Sequence, residues 1–422
     1  MPTIAAHTLG CKLNFAETSH IVRRFVAAGY RVVDFHEPAD VYVINTCTVT
    51  AVAEKKCRNA IRQATASNPQ AVVAVVGCFA QNDAAQIAAI PGVTYILGNN
   101  DKHRLLDIVQ QHLPVPTQPD TPVSFQLSYS TGDRTRTFFK IQDGCDYFCT
   151  YCAIPYARGR SRSASVEETL AMAREIANSG TKEVVLTGVN TGTFGQKQGD
   201  NLLQLLLRLD ELDGIERYRI SSIEPNLLTD DIIRFVATSR KFAHHFHIPL
   251  QAGSDSVLAT MHRRYTTAYY AEKVGVIKSL MPEACVAADL MVGFHGESQA
   301  DFDDACRFVD SLPLSYLHVF TYSERPGTAA LTLPGRIPME ERRRRSEVMH
   351  RLSERKKEDF YRQHAGTRQT VLWESDRKGG YMMGFTDNYI RCRRRFEPAL
   401  VNTLQPVTLG SDCRHDVFDA AD

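Results

Sequence analysis

The sequence predicts an α/β protein in three parts: an N-terminal open parallel α/β domain, a central partial (β/α)6 barrel and a small C-terminal β-barrel. Short apolar runs alternate with amphipathic segments of helical length over residues 1–113 and again over 137–365. The proline-bearing stretch 114–136 between them shows little periodicity, which predicts a linker. From 366 to 422 the pattern changes to five short strands, which is typical of a small barrel.

Composition sets limits on the class of protein. The chain has 422 residues, of which 43% are hydrophobic and 23% charged, so it can bury about two to four cores. A net charge of +1 provides no global field for nucleic acid, so any such binding depends on local patches. No apolar run approaches the roughly 18 residues of a membrane span, and no export signal opens the chain. Eleven cysteines in such a chain predict reduced thiols and metal ligands in a cytoplasmic protein.

The N-terminal domain is predicted element by element from this alternation. The continuous β-branched run at 71–76 is typical of a parallel strand buried on both faces. The predicted strands are 3–9, 41–45, 71–76 and 94–97, and the predicted helices are 14–28, 51–67, 83–90 and one capped at Asn100.

Three cysteines of this domain each follow a predicted strand. These are Cys11, Cys47 and Cys78. The carboxyl ends of parallel strands share one edge of a sheet, so the three thiols are expected to converge there. A free cysteine is often just a small buried hydrophobe, but three at successive strand ends favour a shared metal centre. Cys57 lies mid-helix and is not included.

Three further cysteines, Cys145, Cys149 and Cys152, stand at C-x3-C-x2-C directly after the first strand of the central domain. This spacing suits a tight loop that turns three thiolates toward one point, and thiolates are the ligands of iron–sulfur clusters. Three ligands leave one iron of a four-iron cluster open to a non-protein ligand. Buried structural thiols or zinc are the alternative, although no fourth zinc ligand follows nearby.

The central domain is expected to carry its chemistry at strand ends, as open and closed α/β barrels do. Its predicted strands are 137–142, 183–187, 217–222, 245–250, 284–292 and 315–322, and a capping box at Ser165 opens one of its helices. Gly188, in the segment LTGVNTG, permits close approach of a ligand. Glu224 follows the next strand, where its carboxylate can accept hydrogen bonds from a ligand.

Two sets of motifs resemble a known family. The spacing of the central cysteines, with Tyr151 before the last, resembles the signature of radical S-adenosylmethionine enzymes, and CDYFCTYCAIPYARGRSRS resembles the methylthiotransferases among them. TLGCKLNFAET, INTCTVTAVAEKK and VVGCFAQ resemble the three N-terminal motifs of that family. The chain is most similar to the group that modifies N6-threonylcarbamoyladenosine in tRNA.

The resemblance implies a set of cofactors and ligands. One [4Fe-4S] cluster would be held by Cys145, Cys149 and Cys152, with S-adenosyl-L-methionine chelating its open iron. A second, auxiliary [4Fe-4S] cluster would be held by Cys11, Cys47 and Cys78 and would carry the sulfur that enters the product. The residues expected to bind S-adenosylmethionine or the nucleoside are Tyr151, Gly188, Asn190, Glu224 and Gln251.

The implied reaction inserts a methylthio group at C2 of N6-threonylcarbamoyladenosine next to the anticodon, at position 37. Expected partners are tRNA, an electron donor of the flavodoxin or ferredoxin type and a sulfur source, and no membrane. The same chemistry on N6-isopentenyladenosine tRNA, or on an aspartate of a ribosomal protein, is the nearest alternative. A noncatalytic iron–sulfur protein that binds RNA or senses redox state is the alternative of another class.

Basic residues in two places are expected to meet the substrate. Arg158, Arg160 and Arg162 on a Gly/Ser loop suit a phosphate or carboxylate site. Ala164 stands where close relatives carry arginine, which removes one cation from that neighbourhood, and His295 replaces a proline of the family pattern. The C-terminal barrel resembles a TRAM RNA-binding domain, with cations and stacking rings at Lys378, Arg391, Arg393, Arg394, Arg395, Tyr381, Tyr389 and Phe396.

Overall fold

The computed structural model describes residues 1–48, 51–113, 119–132, 135–413 and 415–421, with 51–53 as backbone only. Most of the proline-rich start of the predicted linker, 114–118, lies outside the described residues, as does its segment 133–134.

The N-terminal domain is an open, wholly parallel five-stranded sheet with helices on both faces. The strand order is β2-β1-β3-β4-β5, and β3 and β4 are buried along almost their whole length. The strands are β1 Thr3–Thr8, β2 Arg31–Val32, β3 Val41–Thr46, β4 Val72–Gly77 and β5 Tyr95–Leu97. The predicted parallel α/β domain is confirmed, with the short edge strand β2 in addition.

The helices of this domain differ from expectation at two points. They are α1 Lys12–Ala27, α2 Ala51–Ser67, α3 Cys78–Asn82, α4 Ala84–Ala88 and α5 Leu105–Gln111. The helix expected over 83–90 is split, because Asp83 has an extended φ of −136° between α3 and α4. Asn100 does not cap a helix; its side chain instead bonds backbone groups of Thr121 and Val123.

The central domain is a partial barrel of six parallel strands in two hydrogen-bonded sheets. One sheet has the order β11-β10-β7-β6 and the other β12-β13-β14, and a parallel bridge between Tyr218 and Phe242 joins them. Its strands are β6 Ser128–Tyr129, β7 Thr137–Lys140, β8 Gln142–Asp143, β9 Arg162–Ser163, β10 Glu183–Thr187, β11 Arg217–Ile220, β12 His245–His247, β13 Cys285–Val292 and β14 Tyr316–Thr321. All six predicted barrel strands are present. The antiparallel strand β6, inside the predicted linker, was not foreseen.

Helices cover the outside of the barrel. They are α6 Ile154–Arg158, α7 Val166–Asn178, α8 Leu202–Asp210, α9 Asp230–Thr238, α10 Asp255–Thr260, α11 Thr267–Leu280, α12 Gln299–Ser311 and α13 Met339–Gln363. The capping box predicted at Ser165 is present at the start of α7, with Glu168 as its partner. The largest core of the protein lies between these helices and the outward faces of the strands, for example Val184 and Leu186 of β10.

The N-terminal domain closes the open side of the barrel. Phe15 and Ala16 of α1 pack against Phe138 of β7 and Val185 of β10. Side chains alternate between the two faces of a strand, and Val184 and Leu186 point to the outer core. Phe138 and Val185 therefore face the lumen, and α1 lies across it.

The C-terminal part is a closed five-stranded barrel of order β15-β16-β17-β19-β18, as predicted. Its strands are β15 Arg368–Lys378, β16 Tyr381–Thr386, β17 Arg391–Arg395, β18 Leu404–Cys413 and β19 Phe418–Ala421. Arg217 and Arg219, at the amino-terminal end of β11, donate to backbone carbonyls of this barrel, such as Thr370 and Asp387. The small barrel thus covers the end of the lumen opposite the cysteine loop.

In the part of the chain that the structure describes, none of the helices has the length and apolarity needed to cross a bilayer.

Candidate functional site

The loop that follows β8 carries Cys145, Cys149 and Cys152. Gly144 has φ +69°, and a Cβ there would lie 2.1 Å from the carbonyl oxygen of Arg160, so only glycine fits. The loop closes on itself through a bond from the amide of Cys152 to the carbonyl of Cys149, 2.9 Å. The amide of Thr150 donates to the carbonyl of Met261, which ties the loop to the end of α10.

The three thiols of this loop lie in a poorly hydrated place. Burial raises the pKa of Cys145 to about 11 and that of Cys152 to about 12. Thiolates at such a site need a compensating positive charge, either from iron or from the protein. The ligands of a four-iron cluster bind separate irons, so their sulfurs need not meet as closely as ligands of one metal ion.

Arg263 supplies a positive charge at this loop, and the sequence analysis missed it. Its Nη1 lies 3.0 Å from Sγ of Cys149 and 3.4 Å from the hydroxyl of Tyr151, and its Nη2 pairs with Glu224. The guanidinium is almost fully buried. A pair of arginines in a turn between α10 and α11 is usually solvated, so no local pattern distinguishes Arg263 from its exposed neighbour Arg264.

Four of the predicted cofactor residues lie at the strand ends around this loop. A Cβ on Gly188 would lie 2.7 Å from Oε1 of Gln142, which explains the glycine. Glu224 follows β11 and is paired with Arg263. Gln251 has φ +65°, and its backbone N–H donates to the carbonyl of Asp289. Tyr151 packs edge-on to Phe294, with ring centroids 6.2 Å apart.

Asn190, the remaining predicted cofactor residue, is 2% exposed, and neither Oδ1 nor Nδ2 has a hydrogen-bond partner in the described structure. A buried amide without partners is costly, so native proteins rarely retain one without a ligand. An amide offers both a donor and an acceptor, which fits a ligand such as S-adenosylmethionine that carries groups of both kinds.

The other three cysteines lie at neighbouring strand ends of the N-terminal sheet. Cys11 follows β1 and is the residue before α1, Cys47 follows β3, and Cys78 begins α3 directly after β4. The strands β1, β3 and β4 are adjacent in the sheet, so the three cysteines lie at the same edge of it. A Cβ on Gly10 would lie only 2.8 Å from Cβ of Cys47, which shows how closely the first two loops approach.

A buried network of charges joins the two cysteine regions. Nη1 of Arg158 lies 2.9 Å from Asp143 and 3.1 Å from Glu17, and its Nη2 donates to Oδ1 of Asn14 at 2.5 Å. Lys102 and Lys140 also pair with Glu17, at 2.6 and 2.7 Å. Burial alone would raise the pKa of Glu17, but the three cations hold it well below its usual value.

This network connects directly to the thiols on both sides. Asp143 precedes the loop of Cys145, whereas Asn14 lies 3.8 Å from Sγ of Cys11. Nδ2 of Asn99 donates to the carbonyl of Ala157 at 2.6 Å and lies 3.9 Å from Sγ of Cys78. The two cysteine regions are therefore held in fixed relation by side chains of both domains.

The predicted anion site at Arg158, Arg160 and Arg162 does not form as expected. Arg158 is 1% exposed and bound internally, and Arg162 is occupied by the carbonyl of Ser124, 2.6 Å away, and by Asp143. Arg160 alone of the three is largely exposed, over the ring of Phe148.

The C-terminal barrel presents part of the expected basic and aromatic surface. A cavity of about 490 Å³ is lined by Tyr381 and by residues 393–397 and 419–421. Tyr389 does not belong to that surface, because its ring packs against His245 of the central barrel, with centroids 4.9 Å apart.

Comparisons with known proteins agree with this architecture. Residues 3–98 match the model of Uncharacterized protein family UPF0004, and residues 139–309 match that of the Radical SAM superfamily. Among solved structures, the radical S-adenosylmethionine methyltransferase TsrM from Kitasatospora setae has a TM-score of 0.58 at 13% identity, covering 78% of this chain and 77% of that one. At that identity the match shows the fold alone.

Curated relatives match along nearly the whole chain. The threonylcarbamoyladenosine tRNA methylthiotransferase MtaB of Bacillus subtilis is 39% identical over 93% of this chain and 90% of its own length. The protein of the same name from Aquifex aeolicus is 36% identical, over 93% and 96%. A tRNA-2-methylthio-N(6)-dimethylallyladenosine synthase from Pelotomaculum thermopropionicum is 31% identical, over 95% and 93%. The chain therefore belongs to the radical S-adenosylmethionine methylthiotransferase family, in the group of the relatives named MtaB.

Proposed function

We propose that the protein inserts a methylthio group at C2 of N6-threonylcarbamoyladenosine at position 37 of tRNA, giving 2-methylthio-N6-threonylcarbamoyladenosine. The observation that carries this proposal is the 39% identity over 406 residues with a relative named for that substrate, which spans all three parts of the chain. The two three-cysteine sets at the strand ends of two adjoining domains support it, because methylthiolation needs two centres.

As a radical S-adenosylmethionine enzyme the chain uses S-adenosylmethionine and iron–sulfur clusters. Cys145, Cys149 and Cys152 would hold the cluster that binds S-adenosylmethionine, and Cys11, Cys47 and Cys78 would hold the auxiliary cluster. Bound S-adenosylmethionine supplies a carbon-centred radical, which can take an unactivated C–H hydrogen that no side-chain acid or base can remove.

The side chains around the first cluster site balance the charge of its thiolates and bind S-adenosylmethionine. Arg263 offsets the negative charge of the thiolates through Cys149 and fixes Glu224 toward the strand ends. Asn190 offers its unpaired amide to S-adenosylmethionine, while Gly188 leaves room for its approach. Gln251 lies beside them at the end of β12 and Tyr151 within the loop itself.

The remaining partners follow from the chemistry. The C-terminal barrel contacts the RNA with Tyr381, Arg393 and Arg395 around its cavity. An electron donor of the flavodoxin or ferredoxin type would serve the centre at Cys145, Cys149 and Cys152, and a separate sulfur source would serve the auxiliary centre. Because the substrate is tRNA, the reaction takes place in the cytoplasm.

Nucleoside mass spectrometry of tRNA from a deletion strain tests the substrate. We expect 2-methylthio-N6-threonylcarbamoyladenosine to disappear and its unthiolated precursor to accumulate, with restoration by the plasmid-borne gene. Loss of the methylthio-isopentenyl nucleoside, or of methylthio-aspartate in a ribosomal protein, would assign one of the alternative substrates. Reconstituted protein that contains both clusters but forms no 5′-deoxyadenosine would instead support a noncatalytic role.

A further inference from the structure

The lumen of the central barrel carries a group of polar side chains that neither cluster site uses. Within the described part of the chain, His247, Asp289 and His318 are the one group of three potential metal-binding residues whose ligand atoms all lie within 4.8 Å of one another. Their neighbours Phe246, Leu290 and Leu317 pack into the outer core, so by strand alternation the three polar side chains face inward.

Two of these three are already partnered. Nε2 of His247 lies 2.8 Å from Oδ1 of Asp289, and its Nδ1 lies 3.2 Å from the hydroxyl of Ser222. The ring of His318 lies 5.2 Å from that of His247, and no hydrogen bond of His318 is found among the described residues. His245, two residues before His247 on the same face, is 7% exposed and both of its ring nitrogens lack a partner. Ring nitrogens of His245 and of the solvent-exposed His318 are thus available to a ligand.

Lys12 enters the same space from the N-terminal domain. It lies three and four residues before Phe15 and Ala16, which pack on the lumen faces of β7 and β10, so all three share one face of α1. The described residues provide its ammonium with no ion pair or hydrogen bond.

Lys12 differs from the other cations of the lumen in having no ion pair among the described residues. Arg217 and Arg219 share the single carboxylate of Glu183, and Asp289 is held by His247. A metal ion at His247, Asp289 and His318 would be repelled by Lys12 and by Arg219, whereas a small anion that accepts hydrogen bonds would satisfy the unused groups.

An apolar surface lies next to this polar pocket. Phe320, two residues after His318 on the same face of β14, is 48% exposed. An aromatic side chain at that position can stack on a purine base. Phe320 is also nearer the strand end at which the cysteine loop lies, so a nucleoside with its base there would extend its N6 substituent toward His318.

We propose that Lys12 and His318 bind the carboxylate of the threonyl group of the substrate nucleoside, and that this pocket is what selects N6-threonylcarbamoyladenosine over nucleosides with uncharged N6 groups. The proposal rests on the proposed function and names the residues that determine its specificity. Neither of the other candidates can bind this carboxylate. Arg158 is bound internally to Asp143, and Ala164 carries no charge.

The test pairs a change in the enzyme with a change in the substrate. Two substrates are compared: anticodon stem-loops that carry N6-threonylcarbamoyladenosine as the free acid or as its methyl ester. Each is assayed with the wild-type enzyme, with Lys12→Gln and His318→Gln, and with Lys56→Gln as the exposed-lysine control. A hydrogen-bonded charge pair contributes enough for about a tenfold or greater preference for the acid in kcat/KM. We expect wild type and Lys56→Gln to show that preference, Lys12→Gln to lose it, and His318→Gln to reduce it.

Iron content and 5′-deoxyadenosine formation without RNA show whether each variant is folded and loaded. Loss of the acid preference in Lys12→Gln, with both of these retained, supports the proposal. An acid preference that persists in both Lys12→Gln and His318→Gln overturns it and leaves the proposed function intact. If wild type thiolates neither stem-loop, the proposed function itself is wrong, and the pocket assignment with it.

Discussion

At the scale of single residues, the site is defined by groups whose charge or polarity is unbalanced without a ligand. Arg263 lies 3.0 Å from the thiol of Cys149. Among the described residues, the buried amide of Asn190 has no hydrogen-bond partner and Lys12 has no ion pair. Burial makes each of these expensive, so each indicates what is expected to bind beside it.

Replacing Arg263 tests its role beside Cys149. We expect Arg263→Gln to lower the reduction potential of the cluster proposed at Cys145, Cys149 and Cys152, because a positive charge 3.0 Å from one sulfur is lost. 5′-Deoxyadenosine formation should fall at least about tenfold, since a hydrogen bond to a charged group contributes about 1.5–3 kcal/mol. A redox titration followed by electron paramagnetic resonance measures the potential. Arg264→Gln is the matched control, and equal potentials in the two variants would contradict the assignment.

Replacing Asn190 should leave the melting temperature unchanged or raise it, but should weaken the binding of S-adenosylmethionine. In protein without ligand, Asn190→Leu removes two unsatisfied polar atoms, so the melting temperature should stay the same or rise. Affinity for S-adenosylmethionine should fall by about tenfold, because that ligand loses a hydrogen-bonding partner. Thermal unfolding and equilibrium dialysis give the two values. Unchanged affinity would contradict a contact between the side-chain amide of Asn190 and S-adenosylmethionine.

At the scale of elements, the loops that bear the cysteines are fixed by charges from other elements. Glu17 of α1 forms ion pairs with Lys102 from the segment after β5, Lys140 from β7 and Arg158 from α6. A buried cation without its carboxylate is strongly unfavourable. We therefore expect the contact between the N-terminal and central domains to depend on Glu17.

Glu17→Gln should lower the free energy of unfolding by about 3–5 kcal/mol, because it leaves three buried cations with one carboxylate fewer. Glu216→Gln, which breaks the solvent-exposed pair with Lys182, should cost at most about 1 kcal/mol. Urea unfolding of the two variants makes the comparison. Similar losses in both would show that the buried network is not stabilising.

Acid stability should depend on Glu324, which lies between β14 and α13. The hydrogen bond that Arg342 donates to Glu324 is the main reason that the pKa of Glu324 is lowered from 4.5 to about 2. A depressed carboxyl pKa stabilises the folded state above the unfolded value, and that contribution is lost as the pH falls from 4.5 toward 2. Unfolding followed over this range should show a steeper loss for wild type than for Glu324→Gln. Because the carboxylate is partly exposed, the difference should not exceed about 1 kcal/mol.

At the scale of the whole molecule, α1 lies across the open side of the barrel and the C-terminal barrel covers its far end. The network of Arg158, Glu17 and Asn14 joins the two cysteine regions, so we expect the substrate nucleoside to bind between them. Radical chemistry benefits when the bound substrate itself completes the exclusion of water, because reactive intermediates are then protected.

The division of labour between the two cysteine sets can be tested by removing one. Replacement of Cys11, Cys47 and Cys78 by Ala should halve the bound iron and abolish methylthiolation, while 5′-deoxyadenosine formation continues at the other set. Iron analysis and nucleoside mass spectrometry of the anaerobically reconstituted variant measure both. Full iron content, or continued thiolation of RNA, would contradict the assignment of the auxiliary centre.

Local patterns were sufficient for much of this protein. The C-x3-C-x2-C spacing, the alternation of strands and helices, and the capping box at Ser165 each depend on residues close in sequence, so they predicted the cysteine loop, the six barrel strands and the start of α7. The positions of Cys11, Cys47 and Cys78 after parallel strands predicted their shared edge for the same reason.

What the sequence by itself determined is therefore the type of each element and the chemistry that its strand ends carry, because these follow from periodicity and spacing. Only the tertiary structure decided which charges are free to meet a substrate: Arg158 is neutralised by Asp143 and Glu17, Tyr389 is covered by the central barrel, and Lys12 is brought into the lumen. The availability of a charged or aromatic side chain depends on partners distant in the chain, and composition and spacing contain no information about those partners.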